Sequence, residues 1–174
     1  FVYVPRNIIV DAPLQIVFVY DNEEASLFYH VLVVAEESSA VTYVETYVST
    51  FETSKGQANI VSEVITKDNA QVTYGAVDVL AKGFTAYVNR RGHALRDSKI
   101  DWALGLMNDS DTIYDTTTNL IGDNSSSDFK MVTIGRGEQK LNFTTVIRQW
   151  GKNTDGQILK HGVMKDAAQA IFNG

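Results

Sequence analysis

Apolar and polar residues alternate along short stretches of this chain, as in Val41-Thr42-Tyr43-Val44-Glu45-Thr46-Tyr47 and Val72-Thr73-Tyr74-Gly75-Ala76. Period two places successive side chains on opposite faces, so each stretch predicts a β-strand with one face buried. Strand centres near Ile16, Val41, Val72, Ile100, Met131 and Leu159 form one set, and centres near Leu32, Ile60, Tyr87, Ile113, Phe143 and Ile171 a second. Each set advances by about 25 to 31 residues, which predicts coils of about 29 residues with two strands each. Ahead of the first set stand Glu37-Ser38-Ser39, Asp68-Asn69, Asp97-Ser98, Asp123-Asn124 and Asp155-Gly156. Small polar residues bond to their own backbone and accept turn dihedrals, so a turn is expected at each.

Helix is disfavoured. β-Branched and aromatic residues dominate, no apolar stripe at 3.6 spacing lasts three turns, and Asn, Asp and Gly interrupt every dozen residues or so. The chain reads as all-β, with two arrangements open: a Greek-key sandwich and a solenoid of stacked coils. The matched pairs of repeats favour the solenoid.

A chain of 174 residues with 44% hydrophobic content is long enough to bury one core, and residues 1–174 read as a single domain without a linker. The run Asp123-Asn124-Ser125-Ser126-Ser127-Asp128 is expected to be a loop joining two strands. Both ends look cut. The chain starts in an apolar run at Phe1 and stops at Gly174 with nothing to cap a strand, and an uncapped coil exposes its stack. The expectation is a domain truncated at both ends relative to a longer parent, with open edges on which the isolated fragment can form a homodimer. The net charge of −6 argues against nucleic acid or an anionic membrane as partner. No spanning segment or signal peptide is visible, which leaves a soluble cytoplasmic protein as the default. The absence of cysteine excludes disulfides, thiolate metal sites and a thiol nucleophile from this chain.

Candidate chemistry is sparse. His30, His93 and His161 have no second ligand at metal-binding spacing, and His30 and His161 read as strand residues. No Gly-x-Ser-x-Gly elbow accompanies the scattered serines, and Gly135-Arg136-Gly137 reads as a turn and not as a nucleotide fingerprint. Asp109, Asp111 and Asp115 are weighed because β-helix enzymes acting on sugars use paired acids or calcium, yet the run around them looks like another polar turn. The most polar strand is Asn89-Arg90-Arg91-Gly92-His93, followed by Arg96 and Asp97. It offers guanidinium forks to an anion or to a partner's carboxylate. The plainer alternative has arginines covering one sheet face and paired with acids such as Asp101. No catalytic or metal residue is assigned.

Longer runs carry a resemblance. Tyr3-Val4-Pro5, Asp11-Ala12-Pro13-Leu14-Gln15, Val33-Val34-Ala35-Glu36, Val41-Thr42-Tyr43-Val44-Glu45, Trp102-Ala103-Leu104-Gly105-Leu106-Met107 and His161-Gly162-Val163-Met164-Lys165-Asp166, leading to Ile171-Phe172-Asn173-Gly174, occur in order along nearly the whole chain. They resemble the core of the SufB/SufD family of iron–sulfur cluster assembly scaffold subunits. The chain is closer to the SufD branch, because Val44-Glu45 is followed by Thr46-Tyr47-Val48 where the SufB branch has a cysteine. The resemblance implies a right-handed parallel β-helix that is not an enzyme. It implies pairing with SufB through the β-helix cores, and with the ATPase SufC through a C-terminal helical region absent from this chain. It implies no cofactor on this chain, with an iron–sulfur cluster and ATP on the partner subunits. ATP-driven association of SufC would then twist the paired cores and expose the assembly site on SufB. The alternatives kept beside it are a carbohydrate-acting β-helix enzyme and a structural or adhesive solenoid.

Overall fold

Thirteen strands and no helix build the chain in a computed structural model that describes residues 1–174. They alternate between two sheets. One holds β1 (Val2–Val4), β3 (Leu27–Ala35), β5 (Gln57–Thr66), β7 (Thr85–Ala94), β9 (Asp111–Leu120), β11 (Lys140–Gln149) and β13 (Gln169–Asn173), in that spatial order. The other holds β2 (Leu14–Tyr20), β4 (Ala40–Ser49), β6 (Gln71–Val79), β8 (Lys99–Leu106), β10 (Ser126–Gly135) and β12 (Asp155–Met164). We call them the odd and the even sheet. Every pairing is parallel, so each two-strand coil stacks on the one before it and the chain is a solenoid with the expected repeat. Both predicted sets of strand centres fall on strands, the first on the even sheet and the second on the odd.

Because each coil repeats the environment of its neighbour, like side chains line up in files along the axis. Tyr43, Tyr74, Trp102 and Phe129 are in register on the inner face of the even sheet, with Tyr43–Tyr74 and Tyr74–Trp102 ring centroids 5.2 and 5.0 Å apart. On the odd sheet Tyr114, Phe143 and Phe172 stack at 5.0 and 4.9 Å. These contacts give close-packed aromatic burial between the sheets.

The odd-to-even turns repeat one backbone device. Asn7, Ser38, Asn69, Asp97, Asn124 and Asn153 all have φ between 53° and 62°, the left-handed region that Asn and Asp tolerate best among residues with a Cβ. Their amides continue the ladder from coil to coil, as in Ser38 N–H to Asp68 O at 3.0 Å and Asn124 N–H to Lys152 O at 2.8 Å. Their side chains form a second ladder: Asn69 Nδ2 donates to Ser38 Oγ at 3.1 Å and Asn124 Nδ2 to Asp97 Oδ1 at 2.8 Å. The fifth expected turn is displaced. Asp155-Gly156 opens β12, and the turn residue is Asn153 two positions earlier, beside Thr154. Likewise the polar run ends as a loop at Ser125, since Ser126 to Asp128 already belong to β10, where stacking on β8 outweighs their weak strand preference.

Replacing Asn124 with valine is expected to cost about 1–2 kcal/mol, since a β-branched side chain is strained in the left-handed region where the short polar side chain of asparagine is tolerated, while glycine at the same position recovers most of it. Urea denaturation followed by circular dichroism measures both; equal stability of valine and asparagine variants would show that the turn relaxes freely.

Candidate functional site

Strand β7 lies at the centre of the odd sheet, between β5 and β9, and strand parity splits its two adjacent arginines. Arg90 points into the interior and Arg91 to the outer face, with Arg90 only 1% exposed. The reading in which both arginines cover one face therefore fails, and Asp101 pairs with Lys99 at 2.8 Å instead.

Inside, Arg90 Nη2 reaches across from the odd to the even sheet and donates to both carboxylate oxygens of Asp78, at 2.9 and 3.0 Å. It also approaches Glu45 Oε1 at 3.4 Å. Glu45 further accepts from the hydroxyls of Tyr43, Tyr47 and Ser62 at 3.3–3.4 Å. Both carboxylates are wholly buried. Burial pushes both carboxyls above the ordinary range, against the pull of Arg90. Burial also works against the charge on Arg90, but Asp78 and Glu45 more than offset it, so the guanidinium stays ionised. One cation faces two acids. Asp78 has the close two-oxygen contact with the cation, and Glu45 the longer one. Ser62, Arg90, Thr116 and Thr145 are in register, so the charged cluster belongs to a polar file on the inner face of the odd sheet. Closed off from solvent, the cluster fixes the two sheets against each other and offers no reacting atom to a substrate.

Parity makes the cluster legible in retrospect. Glu45 occupies the same phase as Val41, Tyr43 and Tyr47, and Asp78 the phase of Val72, Tyr74 and Ala76, so each carboxylate was committed to the interior by its own strand. What the chain order does not show is that Arg90, on the other sheet, meets both.

The weighed acids do not converge. Asp109 pairs with Arg136 at 2.8 Å, Asp111 accepts the Lys140 amide at 2.8 Å, and Asp115 stands on the outer face of β9. No group of three or more His, Asp and Glu side chains is arranged to hold a metal ion. His30 is on the outer face of β3 and bonds Glu63 at 2.9 Å, His161 faces outward from β12, and Arg136 with Gly137 forms the turn before β11, as expected.

The two outer faces differ in character. On the even sheet Val77, Val79, Val132, Leu159 and Val163 are exposed, around an open apolar depression of about 370 Å³ floored by Ala103 and Gly105. On the odd sheet the outer face around Arg91 is polar. There Arg91 Nε donates to Asn89 Oδ1 and Asn89 Nδ2 to the Tyr87 hydroxyl, each at 3.0 Å. The solenoid thus presents two unlike outer faces, one with an apolar depression and one polar around Arg91. No helix in the structure is long and apolar enough to cross a membrane.

Known proteins share this sequence. The iron–sulfur cluster assembly protein SufD of Bacillus subtilis is 61% identical over the whole chain, which spans 40% of that protein. Iron–sulfur cluster assembly SufBD family proteins of Staphylococcus aureus and Staphylococcus saprophyticus are 26% and 25% identical over the whole chain, which spans 37% of each. Residues 18–174 match the family described as SUF system FeS cluster assembly, SufBD core domain, and so, with its repeat, its solenoid and its 61% identity to a SufD over the whole of these residues, the chain belongs to that family.

Proposed function

We propose that this chain is the core of a non-catalytic scaffold subunit of the cytoplasmic Suf machinery, one that pairs with SufB and, through a region outside these residues, with the ATPase SufC. The observation that carries this reading is the 61% identity with a SufD along the entire chain. These 174 residues contain no cysteine, so none of them offers a thiolate to the nascent cluster, the product of the machinery. The two-sheet solenoid supports the reading as well: parallel ladders stacked in register resist bending and serve as a lever between subunits. In this reading ATP-driven movement of SufC is transmitted through the paired cores, and this subunit supplies stiffness and no chemistry.

The test is co-purification of the intact parent protein with tagged SufB and SufC from the same organism, followed by mass determination. A stable assembly of all three is expected. Failure of the parent to associate, under conditions in which SufB and SufC bind each other, would overturn the scaffold reading and leave a shared family fold.

A further inference from the structure

The outer face of the odd sheet carries two arginines, Arg91 and Arg148, that join no ion pair. Register sets His93, Asn119 and Arg148 in one file across β7, β9 and β11, and Arg91 and Thr117 in the file beside it. With Asp115 these residues line a depression of about 300 Å³ that has no apolar residue in its wall. Arg91 is pre-oriented by its Nε bond to Asn89, itself fixed by Tyr87, which leaves the terminal nitrogens of the guanidinium to face outward. Arg148 and Asp115 join no ion pair. Glu63, in register with Arg91 on the next coil, is taken by His30 at 2.9 Å. Arg91 and Arg148 thus stand on this face without an ion-pair partner in the chain.

The spacing of the donors decides what fits. Strands β7 and β11 lie two strand separations apart, about 10 Å, and Arg91 and Arg148 stand on neighbouring files, so each guanidinium can take a carboxylate of its own. The floor is the outer face of a sheet and lacks the apolar lining of a small-molecule cleft. Two carboxylates carried on one partner surface match both properties, since each guanidinium fork takes one carboxylate by paired hydrogen bonds. We infer that this face is a docking surface for an acidic segment of a protein partner, with Arg91 and Arg148 each holding one carboxylate and Thr117 and Asn119 donating between them. The inference concerns the chemistry of the partner and stands whether or not the partner is a Suf subunit.

Fluorescence anisotropy of the intact protein with a labelled peptide of alternating glutamate and serine, at low ionic strength, tests it. The double variant Arg91→Gln with Arg148→Gln is expected to weaken binding about tenfold or more, a loss of about 1.4 kcal/mol. Lys140→Gln, at the far end of β11, is expected to change it less than about twofold. Unaltered circular dichroism of the double variant, whose replaced side chains lie on the surface, checks that the fold is kept. No binding by the wild-type protein, or equal binding by the double variant, would overturn the inference. So would displacement of the peptide by inorganic phosphate at equal concentration, which would mark a site for a single small anion.

Discussion

Replacing Arg90 with methionine is expected to destabilise the protein by about 3–5 kcal/mol, because it strands two buried carboxyls without their cation. The wild-type cluster holds Arg90 at 1% exposure against Asp78 and Glu45, both fully buried, so solvent cannot take over the role of the missing guanidinium. Restoring neutrality by adding Asp78→Asn to the Arg90→Met variant is expected to recover most of the loss, since the cost lies in the unpaired charge more than in the lost attraction. Glu45→Gln alone is expected to cost under about 1 kcal/mol, because it mimics the protonated acid that burial favours at this position. Proton linkage gives the pH dependence its sign. In the Arg90→Met variant the folded state raises both carboxyls further above their unfolded values, so the folded state binds protons more tightly and stability falls as pH rises through that range. The deficit of the variant should therefore be smaller at mildly acidic than at neutral pH. Urea denaturation across pH measures all of this, and a single-variant loss below about 1 kcal/mol would show that the interior admits enough water to solvate the acids.

Trp102→Ala should be the largest loss among the apolar positions, about 3–5 kcal/mol. The indole is almost fully buried, packs on Tyr74 at 5.0 Å, and donates from Nε1 to Thr118 Oγ1 at 2.9 Å, tying β8 of the even sheet to β9 of the odd. Its ring fills the space opposite Gly92, where a Cβ would come within 3.1 Å of Trp102 Cζ2. Truncation leaves both a cavity and a hydroxyl without its donor. Trp102→Phe keeps most of the volume and is expected to lose about half as much. Because each coil touches only its neighbours, the damage should be local: amide exchange should quicken in β6, β8 and β10 before it does in β2 or β13. Uniform loss of protection along the whole chain would instead show that the coils melt as one unit.

Both predictions rest on contacts between sheets, and that is where the sequence stops being legible. Alternation and the repeat were enough to place strands on both sides of each coil, and the Asn and Asp residues at coil corners announced turns because few other side chains accept φ > 0. Tyr87, Ile113, Leu159 and Ile171 marked strand positions correctly yet lie on outer faces, 38–60% exposed, since an apolar residue in a strand need not face the core. Asn153 was missed in favour of Asp155-Gly156 because turn composition is spread over several residues, while a single backbone angle fixes the corner. The polar strand Asn89 to His93 was singled out as one feature. Parity makes it two: a closed ion cluster inside and a polar surface outside.

The sequence by itself determined the element type, the number of strands per coil, the stacking period and, through runs shared with SufB and SufD, the family. These are local or repetitive properties, written in periodicity and in turn chemistry that any neighbouring coil reads alike. Only the tertiary structure decided which residues meet across the interior and which share an outer file. Arg90 finds Glu45, 45 positions away along the chain, and Arg148 joins the file of His93 across an intervening strand, because the register of parallel ladders sets those distances. Register is fixed by the summed packing of two sheets and not by any one segment, so no short stretch of this chain carries it.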